Sequence, residues 1–201
     1  MAQKASKSSS ESKNAPSTMV VVVRKNGKKT DALGATKEVA SLLDAALEDG
    51  LTFGDIKKGL FLRGQGPAPF RHVLFVGVEG KTKTLEDIRR LGATIYQLLK
   101  ANKIGTAGLF LDSIAPSPKE AAAAAGALTE GQLLCSYTFD AYKTKKKDPE
   151  APEAPTTRIE ILLSKKNNAK AVAKAVADAE TLAECINFSR TLGNTPGNLM
   201  T

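Results

Sequence analysis

The 201-residue sequence is poor in the residue types that build many enzyme sites. It has one histidine, His72, two cysteines, Cys135 and Cys185, and no tryptophan. A single histidine excludes a cluster of histidine metal ligands, and two cysteines are too few for a disulfide framework. Both cysteines fall in segments with helical periodicity, so we expect buried, reduced thiols. We expect His72 to be a structural residue.

Long apolar runs are also missing. The longest, residues 19–23 and 121–128, are far shorter than the ~20 residues that a membrane-spanning helix needs. Residues 1–18 are rich in Ser and Lys and contain neither the apolar core of a secretory signal nor the Arg-rich pattern of a transit peptide. We therefore expect a disordered tail over residues 1–18, no contact with a membrane, and a cytoplasmic protein.

Two motifs approach a phosphate-binding pattern without completing it. Gly80 opens a Gly-Lys-Thr sequence, but Phe75 stands where a P-loop needs its first glycine. Gly64 and Gly66 form half of a dinucleotide fingerprint, and Pro67 follows where a helix should begin. The acidic residues show no clustering suited to a divalent metal. We therefore predict no catalytic residue and no metal ligand in this chain.

Strand patterns and helix patterns alternate along the chain. Strands are predicted over residues 19–23, 72–77, 107–111 and 158–163. Helices are predicted from residue 36 to 47, 85 to 100, 117 to about 137 and 168 to about 192. This alternation predicts an α/β fold with three layers, α/β/α, around a mixed, mostly parallel sheet.

Several residues predict where helices begin and end. Thr84 is suited to cap the second helix, and Ser117 with Glu120 has the spacing of a capping box before the third. Asn167 or Asn168 is suited to cap the fourth. Gly193 is suited to stop the fourth helix, and Pro196 prevents it from resuming.

The formal net charge of +8 raises the question of nucleic-acid binding. The densest basic run lies in a charged, Pro-rich segment and comprises Lys143, Lys145, Lys146 and Lys147. A solvated loop explains such a run without any ligand, and few aromatic residues are interleaved to stack on bases. A DNA-binding accessory module that uses these lysines remains the alternative function.

The C-terminal segment, residues 180–198, carries a recognisable pattern: a helix ending in Arg, then Leu, Asn and Pro-x-Asn. The residues are Arg190, Leu192, Asn194, Pro196 and Asn198. This pattern resembles the leucyl aminopeptidase (cytosol aminopeptidase) family at the point where its N-terminal domain joins its catalytic domain. A second segment, from Tyr137 to Lys143, is similar to the family's stretch before the last strand of that domain.

The resemblance implies a macro-like N-terminal domain over residues 19–192, followed by a junction over residues 193–201 that includes Arg190, Gly193, Asn194, Pro196 and Asn198. It implies a parent enzyme that removes N-terminal residues from peptides with two divalent metal ions, Mn or Zn. Those metals and the catalytic residues belong to a catalytic domain outside this chain, which alone is expected to be inactive. The expected partners are that catalytic domain and the other copies of a homo-hexamer. An ADP-ribose or nucleotide pocket, by analogy with the macro-like fold, is a third possibility.

Overall fold

A computed structural model describes residues 6–7, 16–26, 29–50, 59–79, 84–142 and 156–199. The strands are β1 (Ser6–Lys7), β2 (Thr18–Asn26), β3 (Lys29–Leu33), β4 (Gly59–Leu62), β5 (His72–Glu79), β6 (Thr106–Phe110) and β7 (Arg158–Leu163). The α-helices are α1 (Lys37–Glu48), α2 (Leu85–Ala101), α3 (Pro118–Ser136) and α4 (Ala169–Asn194). Short 3-10 helices cover Leu111–Ser113 and Gly197–Leu199.

In the described part of the chain, seven strands form one sheet. Six of them follow the order β1-β7-β6-β2-β5-β4, and β3 pairs with β2 outside this order. The strands β1, β7, β6, β2 and β5 run parallel to their neighbours, whereas β3 and β4 pair antiparallel with β2 and β5. Two strands pair with the same edge of β2: the first residues of β2 pair with β6, and its last residues pair with β3. The prediction of a mixed, mostly parallel sheet is confirmed.

The apolar run in β2 is explained by burial on both faces of the sheet. Val20 and Val22 pack into the cluster formed with α2, α3 and α4. Met19, Val21 and Val23 pack on the opposite face with Val39 and Leu43 of α1. Because side chains alternate between faces, a strand covered on both sides has apolar residues at every position. The predicted three layers are therefore present.

Helix α3 is buried on several sides because it lies between α2 and α4 and against the sheet. Its buried positions are mostly Ala and Gly, which let neighbouring backbones approach closely. A Cβ atom on Gly131 would lie 1.8 Å from the carbonyl oxygen of Arg89 in α2. A Cβ on Gly92 of α2 would lie 2.2 Å from the carbonyl oxygen of Leu128. Glycine at these two positions therefore sets the spacing between α2 and α3.

Two strands were missed in the sequence. Lys29–Leu33 forms β3, the second strand of a hairpin with β2, and Gly59–Leu62 forms β4 in a segment for which neither strand nor helix was predicted. In addition, Ser6–Lys7 pairs with Leu162 and Leu163 of β7, a pairing that the prediction of a disordered tail did not include. Pro16 is buried and Thr18 already belongs to β2. Residues 1–5 and 8–15 lie outside the described residues.

The helix N-termini follow the predictions in two cases out of three. Thr84 caps α2 through a reciprocal capping box with Asp87, and Asn168 caps α4 by accepting a hydrogen bond from the amide of Ala171. The predicted capping box at α3 is wrong. The helix does begin at Pro118, but the Ser117 side chain makes no capping hydrogen bond. The carbonyl of Ser117 instead accepts from the amide of Glu120.

The prediction of two buried thiols is correct only in part for Cys135 and wrong for Cys185. Cys135 is half-buried near the end of α3, and Cys185 is exposed on α4. Cys185 occupies the outer side of its helix, opposite the residues that contact α3, so the periodicity of α4 alone did not identify its environment.

Candidate domain junction

The C-terminal half of α4 is the candidate site, because it carries the residues on which the family resemblance rests. In its first half, Val172, Val176, Ala179 and Ala183 are buried against the domain. Beyond Ala183 no residue of α4 is fully buried, and polar side chains replace the apolar ones on the inner face. The contacts that hold this half in place are therefore hydrogen bonds to the end of α3.

Arg190 makes the central contact. Its Nη1 atom donates to the carbonyl of Leu134 at 3.0 Å and to Oδ1 of Asn187 at 3.2 Å. Asn187 Nδ2 in turn donates to the carbonyl of Leu133 at 3.3 Å. Carbonyls in the last turn of a helix lack intrahelical partners and carry partial negative charge, so a guanidinium is well suited to this position. Side chains of α4 thus complete the hydrogen bonding at the C-terminus of α3.

Tyr137, immediately after α3, lies at the centre of a second set of contacts. The Arg190 guanidinium lies 5.8 Å from the centre of the Tyr137 ring, within the range of a cation–π interaction. Asn194 Nδ2 donates to the Tyr137 hydroxyl at 3.3 Å, and that hydroxyl is 3.2 Å from Oγ1 of Thr191. Because Thr191 Oγ1 donates to the carbonyl of Asn187 at 2.9 Å, Tyr137 is the donor to Thr191.

This network joins the two segments that resemble the aminopeptidase family. Tyr137 begins one of them, and Arg190 and Asn194 belong to the other, more than 50 residues away in the sequence. Of the predicted junction residues, the structure brings Arg190 and Asn194 together. Pro196 and Asn198 are exposed and lie after the helix: Pro196 precedes the 3-10 helix Gly197–Leu199, and Asn198 belongs to it. The role of these residues as a junction stays a prediction.

The prediction that Gly193 stops α4 is wrong. The helix continues to Asn194, and Thr195 is the C-cap, with its amide donating to the carbonyls of Thr191 and Leu192. Gly193 is helical and does not have a positive φ. A Cβ atom placed on it would meet no described atom within 4 Å. The helix ends instead where Thr195 turns to an extended conformation ahead of Pro196.

The outer side of the same half-helix carries large apolar residues that the sequence analysis did not single out. Leu182, Phe188 and Leu192 are 49%, 63% and 44% exposed. Exposed Cys185 lies between them in the sequence, so the four residues follow one another at intervals of three or four and share one side of the helix. We call Leu182, Cys185, Phe188 and Leu192 the apolar stripe of α4. A helix wheel of residues 180–194 would have revealed it.

Other predicted sites lie elsewhere or outside the described residues. Lys143, Lys145, Lys146 and Lys147 belong to the segment 143–155, outside the described residues, and DNA binding stays a prediction. Among the described residues no group of three or more His, Cys, Asp or Glu side chains is arranged to hold a metal ion. None of the described helices combines the length and the apolar character that a membrane crossing requires.

The fold and the exposed side of α4 together define a class of protein. It is a three-layer α/β domain whose last helix exposes an apolar stripe along its C-terminal half. A sequence model described as the cytosol aminopeptidase family, N-terminal domain, matches residues 20–146. The chain therefore belongs to the cytosol aminopeptidase family and corresponds to its N-terminal domain.

Individual relatives agree with this assignment. The chain is 33% identical over 186 residues to a probable cytosol aminopeptidase of Bdellovibrio bacteriovorus, covering 90% of the chain and 36% of the relative. It is 31% identical to a probable cytosol aminopeptidase of Pseudomonas fluorescens, with 90% and 36% coverage. The chain thus spans about a third of the length of these curated relatives.

Solved structures support the fold. A tomato leucine aminopeptidase variant is similar over 100% of this chain and 40% of that chain, with a TM-score of 0.66 and 15% identity. The bottromycin maturation enzyme BotP is similar over 93% of this chain and 34% of that chain, with a TM-score of 0.60 and 20% identity. At these identities the likeness establishes the α/β architecture alone.

Proposed function

We propose that this chain is the non-catalytic N-terminal domain of a cytoplasmic two-metal aminopeptidase that removes N-terminal amino acids from peptides. In this proposal the domain positions the catalytic domain and supports assembly of a homo-hexamer. The names of the relatives, cytosol aminopeptidases of which this chain spans about a third, support the activity and the compartment. The apolar stripe of α4 is the observation that carries the positioning role.

The argument from the stripe is energetic. Large apolar side chains on a helix are stabilising when they are covered and gain nothing when they face water. Burying Leu182, Phe188 or Leu192 against a neighbouring domain is worth roughly 1.5–3 kcal/mol for each fully covered side chain. Leu192, the last residue of the stripe, lies two residues before Asn194 and four residues before Pro196, both of them predicted junction residues. A domain that follows the junction is therefore well placed to cover it.

Anchoring of the helix supports the same role. Arg190, Asn187 and Asn194 fix the C-terminal half of α4 to the end of α3 through side-chain hydrogen bonds. A helix held in this way presents its outer side in one defined direction. The domain would then contribute orientation to the enzyme, whereas the chemistry would reside in the catalytic domain.

The described residues do not suit a pair of divalent ions. Two-metal sites need clustered carboxylate or imidazole ligands, and the described part of this chain brings no three such groups together. We propose that two Mn or Zn ions are held by the catalytic domain. In this chain we assign no step of peptide hydrolysis to any residue.

A fusion tests the proposal. The catalytic domain of the Bdellovibrio bacteriovorus relative would be joined after Thr201, and hydrolysis of leucine amide with Mn²⁺ would be measured together with the mass in solution. We expect turnover and a hexameric mass from the fusion, and no turnover from the 201-residue chain alone. Turnover by the chain alone would show that it contains a catalytic site.

The role of the stripe is tested in the same fusion. Replacing Leu182, Phe188 and Leu192 together by Ser should reduce both the hexameric fraction and the activity. The matched control replaces Ala171, Ala173 and Ala177, exposed residues in the first half of α4, by Ser and should leave both unchanged. If the stripe variant keeps the mass and the activity of the parent fusion, the stripe neither positions the catalytic domain nor supports the hexamer.

A further inference from the structure

A cavity of about 540 Å³ opens at the edge of the sheet where the parallel strands begin. Its walls come from three places: the start of β2, the segment between β4 and β5, and the turn between α2 and β6. The lining includes Thr18, Arg63, Arg71, His72, Asn102 and Lys103. The volume lies within the range of sites that bind small molecules. This edge is opposite to the one at which open α/β sheets usually bind ligands.

The rim of the cavity is basic. Arg63, Arg71 and Lys103 are exposed around it. Within the described part of the chain none of these three cations forms a salt bridge with a carboxylate. The Arg63 guanidinium instead lies 5.5 Å from the centre of the Phe61 ring. Three cations that converge on one concave surface create a positive potential, which low-dielectric walls concentrate.

His72 contributes a neutral donor to the same wall. Its Nδ1 atom accepts a hydrogen bond from the backbone amide of Gly64 at 2.9 Å, so the proton of the neutral ring is on Nε2. Burial lowers the pKa of His72, and the nearby charges of Arg71 and Arg63 lower it further. At neutral pH the ring therefore offers an N–H group to an oxygen acceptor and carries no charge.

A further feature of the wall fits an acceptor ligand. Thr18 is fully buried, and its hydroxyl has no hydrogen-bond partner among the described residues, which is costly for a buried polar group. Lys103 has a left-handed conformation with φ of 57° because it follows the C-cap of α2. Its amide donates to the carbonyl of Lys100, and the amide of Ile104 donates to that of Leu99, as in a Schellman turn. Lys103 occupies the turn that brings its charge to the cavity.

We propose that this cavity binds a small polyphosphate oxyanion, held by Arg63, Arg71 and Lys103 with His72 as a neutral hydrogen-bond donor. Guanidinium groups recognise phosphate oxygens through paired hydrogen bonds, and lysine adds a point charge. A ligand with two or three linked phosphates has enough negative charge to balance three cations in one site. This inference is independent of the role proposed for the apolar stripe of α4.

Calorimetric titration with inorganic tripolyphosphate tests the proposal on the 201-residue chain. We expect saturable 1:1 binding and at least a tenfold loss of affinity in the Arg63→Gln/Arg71→Gln variant. The matched control, Lys170→Gln/Lys174→Gln, removes two exposed charges from the first half of α4, which begins beyond the opposite end of the strands. It should bind as the parent does. Absence of saturable binding, or an equal loss in the control, would overturn the proposal.

The single histidine gives a second readout that does not depend on affinity. The ¹³C-labelled Cε1–H signal of His72 should shift on addition of tripolyphosphate, and its pKa should rise because the anion offsets the charges of Arg71 and Arg63. A His72 signal and pKa unchanged at saturation would place binding elsewhere and refute the assignment. Circular dichroism of each variant verifies that it is folded, and Arg63→Lys/Arg71→Lys, which retains the charge, should restore most of the binding.

The phosphate groups could come from a free polyphosphate or from a nucleotide. Parallel titrations with ATP and with adenosine distinguish these sources. Adenosine should not bind, since it lacks the oxyanion on which the site depends, and adenosine binding as tight as that of ATP would contradict the proposal. Equal affinities for ATP and tripolyphosphate would show that the site recognises only the phosphate groups and not the nucleoside.

Discussion

The Arg190 side chain donates a hydrogen bond to the backbone carbonyl of Leu134, a residue 56 positions earlier in the sequence, with 3.0 Å between donor and acceptor. The acceptor is in the last turn of α3, and the donor is in the last two turns of α4. One helix therefore supplies the C-terminal capping interaction of another. This explains why an arginine placed near the end of α4 is structural within the domain as well as close to the predicted junction.

Replacing Arg190 by Ala should loosen the end of α4 without unfolding the domain. The variant loses hydrogen bonds to Leu134 and Asn187, and because the site is exposed we expect a loss of about 1 kcal/mol. Hydrogen exchange should become faster for amides in residues 187–195 and remain unchanged in β2 and β5. Lys174→Ala on the same helix is the control. Uniform loss of protection in both variants would contradict the local role.

Gly131→Ala should destabilise the domain. The new Cβ would overlap the carbonyl oxygen of Arg89, so α2 and α3 must separate. Overpacking of this kind costs roughly 1–3 kcal/mol or more, against a gain of about 1 kcal/mol in helix propensity. Because the overlap is with backbone and is severe, the cost should lie at or above the upper end of that range, so we expect a net loss of ~2 kcal/mol in the free energy of unfolding, measured by urea denaturation.

Gly193→Ala is the matched control and should have the opposite sign. The position is helical and open, so alanine should stabilise the chain by about 0.5–1 kcal/mol. If Gly193 instead ended the helix in a left-handed conformation, alanine would be destabilising. The sign of this change therefore distinguishes the observed helix end from the one that the sequence suggested.

Gln132→Leu should destabilise the domain by leaving a buried donor unpaired. The Gln132 side chain is buried, and its Oε1 accepts a hydrogen bond from the amide of Ile159 in β7 at 3.1 Å. An unsatisfied buried amide costs about 1–3 kcal/mol. Gln97→Leu, at an exposed position of α2, should change stability by less than ~0.5 kcal/mol. Similar losses from both substitutions would refute the buried hydrogen bond as the cause.

Glu160 should make stability depend on pH. Burial raises the pKa of this β7 carboxyl, and the charge of Arg158, 3.8 Å away, opposes the rise only in part. The folded state then binds the proton more tightly than the unfolded state, so stability should fall as the pH rises from the unfolded pKa of 4.5 through the folded value. Glu160→Gln should remove this slope and raise stability at pH 7. A slope that persists in the variant would assign it to other groups.

Much of the fold could be predicted because burial leaves a periodic pattern. The strands β2, β5, β6 and β7 are apolar on both faces or nearly so, and α1 and α2 carry clear apolar stripes. The strand β3 was missed because its residues include Lys29 and Asp31 and because it pairs only along one side of β2. The short β4 follows a Gly-containing segment that resembles a loop.

The sites were harder to predict because they depend on residues far apart in the sequence. Arg190 and Asn194 were identified by resemblance, but their contact with Tyr137 arises only when α4 packs beside α3. The basic cavity joins three separated segments, and His72 was expected to be merely structural. Arg71 is its neighbour in the sequence, but the proximity of Arg63 is a product of the β4–β5 pairing, which no local pattern indicated.

Among the residues that the structure describes, the sheet has short strands at both of its ends, with the two residues of β1 beside β7 and the four residues of β4 beside β5. Such brief edges offer few unpaired backbone groups to a neighbouring chain. Copies of this domain are consequently not expected to join by continuing the sheet from one molecule into the next, and side chains on the helices are the more suitable surfaces for contacts between them.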